Sequence, residues 1–346
     1  MEFPAAHGPP PLAGRIRVEP EDFFVEEELG FDPDGSGNHV LLQVEKRGAN
    51  TGWVAAELAR AAGVAPRDVG VSGQKDRRAV TRQSYSLPWP VAEPIEACLS
   101  FAGEGYRVLA VQRHGRKLRP GSHRANRFVV RVREAAGDRG AIEDRLRLIG
   151  ADGVPNYFGP QRYGRGGDNL ARARAWAAGG EPPRDRLQRG FALSVARSEL
   201  FNLVLAERVR RGDWNRLLPG EAIILDGRRS FFRADAIDAA LRERCAASDL
   251  HPSGPLWGRG SPEVGGEVLA LEQAVAAGEP ALRTLLEAQG MDQERRSLRL
   301  PVRSLGWSLE GDSVVLSFEL PRGTFATSVL HEVLQGAWDP GEGSGE

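Results

Sequence analysis

Residues 69–83 read VGVSGQKDRRAVTRQ. Val69 and Val71 alternate with Gly70 and Ser72, the pattern of a short strand running into a glycine turn, and a second strand is expected from Val80. This places Asp76 on a loop at a strand end. Four cations surround it in sequence, Lys75, Arg77, Arg78 and Arg82, and Gly73 lies three residues before it. An aspartate is ionised at neutral pH and nearby cations favour that form. Asp76 is therefore expected to be available as a base or nucleophile without a metal. A lysine–aspartate dipeptide in a turn is more commonly a local salt bridge, here to Lys75 or Arg77, so these residues alone leave function open.

Composition sets the class. The chain has 346 residues, 41% hydrophobic and 27% charged, as expected of a soluble globular protein long enough for two domains. Cys98 and Cys245 are far apart and form no CxxC pair, which argues against a disulfide framework or a cysteine zinc site. The residues before Gly14 lack the charged start and apolar run of a signal peptide, and no apolar stretch approaches the roughly 18 residues of a membrane span. A cytoplasmic location is expected.

The net charge of -1 conceals a segregation. Residues 1–34 hold nine acids against Arg15 and Arg17, whereas residues 106–133 hold nine basic residues and no acid. The basic run includes Arg113, Arg116, Lys117, Arg119, Arg124 and Arg127, with His114 and His123 between them. Such a run suits contact with several backbone phosphates, although a solvated basic face has the same composition. There are only three lysines, Lys46, Lys75 and Lys117, and two of them lie in the segments just described.

The N-terminal half alternates strands with helices. Residues 38–45, 80–87, 106–113 and 127–133 read as strands; Thr51–Ala62 reads as a helix with Thr51 as a candidate N-cap, and residues 141–149 as a short helix. From Gly153 the character changes. A glycine- and aromatic-rich loop, GVPNYFGPQRYGRGGDN, precedes a helix over 169–178 that Asp168 would cap, and further helical stretches are expected over 193–211, 235–247 and 267–289. Strand alternation returns over 314–320, and a helix over 327–335 follows. The expected class is α+β, with a helical block inserted between flanks that share one sheet. From Pro340 the chain is glycine-rich and expected to be disordered.

No P-loop, GxGxxG, HExxH or GxSxG pattern is present, and the six histidines show no paired metal spacing. Nucleotide hydrolysis, dehydrogenation, zinc chemistry and serine hydrolysis lose support.

Four segments in order, EDFFVEE from Glu21, SGQKDRRAVTRQ from Ser72, VPNYFGPQRYG from Val154 and RGTFATSVLHEVL from Arg322, resemble the tRNA pseudouridine synthase D (TruD) family. The resemblance extends from about Gly14 to Gln335. It implies isomerisation of the uridine at position 13 of tRNA, near the D-stem, to pseudouridine, with Asp76 as the nucleophile, no cofactor and no metal. Attack on the sugar, addition to the base and a glycal route all need an ionised aspartate. A stacked uridine must be flipped out, at a cost of a few kcal/mol that aromatic stacking offsets.

The resemblance further implies that Phe23, Asn126 and Phe325 contact the substrate and that Phe128 packs against the target base or Asp76. Arg17 stands where family members often carry a lysine; it retains the charge for pairing with Asp76 or RNA but hardly deprotonates. Arg162 in PQRYG is expected to contribute similarly. The implied fold is a pseudouridine synthase catalytic domain with a mixed, largely antiparallel sheet, residues 1–152 and 300–346, and an inserted, mainly helical TRUD domain, residues 153–299. The expected partner is tRNA, with no membrane, no obligatory protein partner and a monomeric enzyme. A module that binds tRNA without modifying it, and a hydrolase that releases uracil, are the competing readings; unchanged RNA mass separates isomerisation from the hydrolase, and loss of isomerisation with tRNA binding kept in Asp76→Asn separates it from the binding module.

Overall fold

The computed structural model describes residues 3–336, the side chain of Arg165 apart. Two compact units are present. The sheet unit holds Ala13–Ala136 and Arg303–Gly323, and the helical unit holds residues 3–12, Gly137–Val302 and residues 324–336. This division by packing differs from the expected boundaries at 152/153 and 299/300. Its cause is a knot of polar contacts within the helical unit. Arg145 of helix Arg139–Asp152 donates to the carbonyls of Glu332 and Pro9, and the Glu332 carboxylate accepts the N–H groups of Ala6 (2.8 Å) and His7 (3.0 Å). The segment expected to be disordered, from Pro340, lies outside the described residues.

The sheet unit is built from ten strands: β1 (Ala13–Arg15), β2 (Phe23–Leu29), β3 (His39–Arg47), β4 (Gly70–Val71), β5 (Val80–Pro88), β6 (Ala102–Gly103), β7 (Tyr106–His114), β8 (His123–Ala136), β9 (Arg303–Glu310) and β10 (Ser313–Pro321). Their order is β9-β10-β8-β2-β5-β3-β7-β6, with β1 on β8 and β4 on β5. Among the described residues β2 and β5 form the one parallel pair of this sheet. The C-terminal flank joins the N-terminal one through β10, which pairs with β8 from Val314 to Pro321.

Alternation determines the faces. Val40, Leu42 and Val44 of β3 point to one face and are buried, and α1 (Thr51–Ala62) lays Val54 and Leu58, four residues apart, against them. Burial of each such side chain contributes about 1.5–3 kcal/mol. The helix ends at Gly63, whose φ of 65° is a left-handed conformation that a side chain would strain. The same face continues across the sheet through paired positions, Lys46 with Thr81, Thr81 with Val25, Val25 with Phe128 and Phe128 with Phe318.

Several local expectations change. Asn50, not Thr51, is the N-cap of α1; the Thr51 hydroxyl donates to Gln83 and accepts the Lys75 N–H, each at 3.0 Å. The helical unit contains α2 (Arg139–Asp152), α3 (Asp168–Ala177), α4 (Arg186–Arg210), α5 (Ala239–Ala246), α6 (Gly266–Ala277), α7 (Pro280–Ala288) and α8 (Ala326–Val333). Asp168 is the first residue of α3 and does not cap it. The single helix expected over 267–289 is two, because Pro280 has no N–H to continue the first and starts the second. Short strands, Glu221–Leu225 with Phe231–Ala234 and Leu250–His251, also occur in this unit; each has five residues or fewer, too short for alternation to reveal.

Among the described residues, Glu27 of β2 and Lys46 of β3 place charges on the inward face of the sheet unit. Glu27, fully buried on β2, accepts from Lys75 Nζ at 2.8 Å and from the Ser84 N–H at 3.2 Å. The Lys75 side chain is itself only 6% exposed, so this pair ties the loop after β4 to the centre of the sheet. Replacing Glu27 with Gln leaves a buried ammonium without its counter-charge. Urea unfolding is expected to show a loss of about 3–5 kcal/mol, and the Glu27→Gln, Lys75→Met double variant is expected to recover most of it.

Candidate active site

The loop between β4 and β5 is held by contacts from several directions. The Ser72 carbonyl accepts the Gly121 N–H at 2.6 Å, and the Gly73 carbonyl accepts from the Gln83 amide at 3.3 Å. Thr51 holds the Lys75 N–H, and Glu27 holds the Lys75 ammonium. From β3, Lys46 Nζ donates to the carbonyls of Asp76 (2.8 Å), Ala49 (2.8 Å) and Lys75 (3.4 Å). The backbone of Asp76 is thereby fixed while its side chain stays 55% exposed. Desolvation pushes the Lys46 ammonium down to about 8; the Asp76 carboxylate opposes this and the Lys75 charge adds to it.

The cation that meets Asp76 comes from a distant part of the chain. Arg17 Nη2 donates to Asp76 Oδ2 at 2.9 Å, and its guanidinium carbon lies 4.2 Å from the centre of the Phe23 ring. Arg17 has a φ of 58°, a left-handed backbone that costs a residue with a side chain about 1–2 kcal/mol. The ion pair and the ring contact hold it there. The cations adjacent to Asp76 in sequence serve other groups. Lys75 pairs with Glu27, Arg82 pairs with Glu45 at 2.9 Å, and exposed Arg77 donates to the Gly48 carbonyl at 3.4 Å. Among the described residues Asp76 forms its ion pair with Arg17 alone, 59 residues away, and not with the cations beside it in sequence, while the buried Lys46 ammonium also feels its charge.

Beneath Arg17 lies an aromatic row. Phe23 meets Phe128 edge-on at 6.1 Å, and Phe128 stacks on Phe318 at 5.3 Å. All three are buried. Asn126 lies two residues before Phe128 on β8, paired across the sheet with Glu27. It is 8% exposed, and among the described residues its Oδ1 accepts no hydrogen bond. Arg17, Phe23, Asp76, Asn126 and Phe128 thus all belong to the sheet unit.

The other two candidates belong to the helical unit. Phe325 is the N-cap residue of α8, half-buried, with its ring 6.5 Å from that of Phe158. Arg162 places its guanidinium 5.4 Å from the Phe158 ring and 6.0 Å from that of Phe191, and burial lowers its pKa. Arg296 stacks on Phe158 at 4.2 Å and donates to Asn156 Oδ1 at 2.6 Å.

Four of the nine basic residues of the run over 106–133 form ion pairs among the described residues. Arg107 meets Glu45, Arg124 meets Glu28, Arg131 meets Glu310, and Arg133 meets Glu19 and Asp22. Part of the charge segregation in the sequence is therefore cross-strand pairing, with Arg124 and Arg133 of β8 meeting Glu28, Glu19 and Asp22 of the acidic segment. Arg116, Arg119 and Arg127 are exposed and form no ion pair among the described residues.

Glu27 and Lys46 carry the loop, and both were legible in principle. Each is a charged residue at an inward position of an alternating strand, after Phe23 and Val25 in one case and after Val40, Leu42 and Val44 in the other. Among the described residues no three His, Cys, Asp or Glu side chains gather as a metal site requires, and no helix is long and apolar enough to cross a membrane.

Known proteins bear on this arrangement. The family model described as tRNA pseudouridine synthase D (TruD) matches residues 6–170 and 182–333. A curated relative from Nitrosococcus oceani named tRNA pseudouridine synthase D is 49% identical over 331 residues, covering 95% of this chain and 92% of its own. One of the same name from Methylococcus capsulatus is 46% identical over 341 residues, covering 98% and 95%. A crystal structure of a Methanosarcina mazei protein bearing the same family name superposes with a TM-score of 0.73 at 19% identity, covering 96% of this chain and 98% of that one, which shows the fold. A ten-stranded mixed sheet presenting an exposed aspartate, identity near one half over almost the whole length and a matching family model together establish that this chain belongs to the tRNA pseudouridine synthase D family, isomerases that convert uridine to pseudouridine in tRNA.

Proposed function

We propose that this enzyme isomerises the uridine at position 13 of tRNA to pseudouridine, with Asp76 as the nucleophile. The observation that carries the reading is the exposed Asp76 carboxylate on a backbone held from β2, β3, β5 and α1, with Arg17 as its ion-pair partner. A fixed backbone supports the reaction because the nucleophile must meet a flipped nucleotide at a defined position. In the isomerisation the C1′–N1 bond breaks, the uracil turns, a C5–C1′ bond forms, the C5 hydrogen leaves as a proton and N1 takes one up. No atom is gained or lost.

In this reading Arg17 orients the carboxylate and meets RNA phosphate, Asn126 hydrogen-bonds the nucleotide, and Phe23 and Phe128 form the floor under Asp76. Phe325 and Arg162 are assigned substrate contacts from the helical unit. The catalytic domain, residues 1–152 and 300–346, contains the sheet unit, and the inserted TRUD domain, residues 153–299, lies within the helical unit. The free arginines Arg116, Arg119 and Arg127 are the phosphate contacts that remain from the basic run. The enzyme acts in the cytoplasm as a monomer, without a protein partner.

Mass-neutral pseudouridine mapping on a tRNA transcript tests this. Asp76→Asn is expected to lower product formation by on the order of 10³-fold or more while tRNA affinity stays within about threefold. Full activity in that variant removes Asp76 as nucleophile, and product at another position removes the site assignment. Arg17→Met is expected to lower kcat/KM by roughly tenfold or more. Because the Arg17–Asp76 pair is exposed, the same change is expected to alter stability by no more than about 1 kcal/mol, read by urea unfolding.

A further inference from the structure

We propose that Lys46 is a positioning residue for the reaction: its buried ammonium holds the backbone of residues 75 and 76 so that the Asp76 carboxylate is presented at a fixed place. This rests on the reading of Asp76 as nucleophile and goes beyond it.

The geometry is unusual for a lysine. Lys46 occupies the inward position that follows Val40, Leu42 and Val44 on β3, and its side chain is wholly buried. All three ammonium hydrogens are used on backbone carbonyls, those of Asp76, Ala49 and Lys75. Among the described residues no carboxylate is a hydrogen-bond partner of Lys46. A buried cation that only filled space would be replaced at lower cost by an apolar side chain of the same length. Here three carbonyls converge on one buried donor group, and two of them flank the Cα of the nucleophile. Arginine, the usual cation of this chain, would present a planar fork to carbonyls arranged for a compact tripod.

The charged groups facing the ammonium are Asp76 and Lys75 of the loop. Its cross-strand neighbour on β5 is Thr81, and Thr51 at the start of α1 is uncharged. On β7 its partner is Tyr106, whose phenol is influenced by Glu57 and Arg60. In the folded chain Lys46 releases its proton at about 8, whereas an unfolded lysine holds it to about 10.4. The unfolded state therefore binds more protons between these values, and stability rises with pH across that window. Loss of the proton removes one donor from the tripod, so turnover falls as stability rises.

Single-turnover and steady-state pseudouridine formation by the full chain tests the proposal, with Lys46→Met as the variant. The expected result is a kcat lower by about 10²-fold, with KM for tRNA changed by less than about threefold. Wild-type kcat is expected to fall on the alkaline side with a midpoint near 8, and kcat of the variant to be flat over the same range. Urea unfolding of the wild type is expected to move to higher midpoint from pH 8 to pH 10. If Lys46→Met does not fold, the two wild-type pH profiles decide: opposite directions support the positioning role and a flat kcat profile overturns it. A rise in KM at unchanged kcat, or full activity in Lys46→Met beside an inactive Asp76→Asn, overturns the role of Lys46 and leaves the functional reading intact. Absence of pseudouridine from the wild-type reaction overturns both.

Discussion

A charge taken out of water must meet a partner, and in the sheet unit this constraint shapes the loop that presents Asp76. The inward face of the sheet is apolar for most of its width, yet it carries Glu27 on β2 and Lys46 on β3. Neither is satisfied by its own strand. Glu27 takes the Lys75 ammonium, and Lys46 takes the carbonyls of Ala49, Lys75 and Asp76. An unpaired buried ion costs several kcal/mol, so the loop between β4 and β5 has little freedom to adopt another path. Rigid backbone and exposed carboxylate arise from the same two residues.

Outside that anchored segment the interactions are of a different kind. Arg17 reaches Asp76 where both side chains are partly exposed, so the pair adds little to stability. Its worth lies in orientation, and the chain accepts a left-handed backbone at Arg17 to achieve it. The contrast separates two tasks: buried charges determine where the backbone lies, and an exposed pair sets the direction of the carboxylate.

Much of the fold was legible. The helix Thr51–Ala62 and the strands from Val80 and Tyr106 have clear periodicity, and each lies within a residue of its expected limits. β8 is longer than its alternation suggested, running from His123 to Ala136, because β1, β2 and β10 supply hydrogen-bond partners along it. The break before Pro280 is legible from the proline itself, while the short strands of the helical unit have too few residues for a period to be measured. At the site, GQKD singled out Asp76, and the inward positions of Glu27 and Lys46 could have been found by extending the alternation of β2 and β3 by one step.

By itself the sequence determined the α+β class, the helix and strand faces and the family, because periodicity and long motifs are properties of neighbouring residues. Tertiary structure alone decided which charges meet. Lys75, Arg77 and Arg82 stand beside Asp76 in the chain but serve Glu27, the Gly48 carbonyl and Glu45. Arg17, 59 residues away, is the one that pairs with it. Electrostatic attraction depends on distance through space and on the dielectric between the charges, and both were set only when the strands took their register.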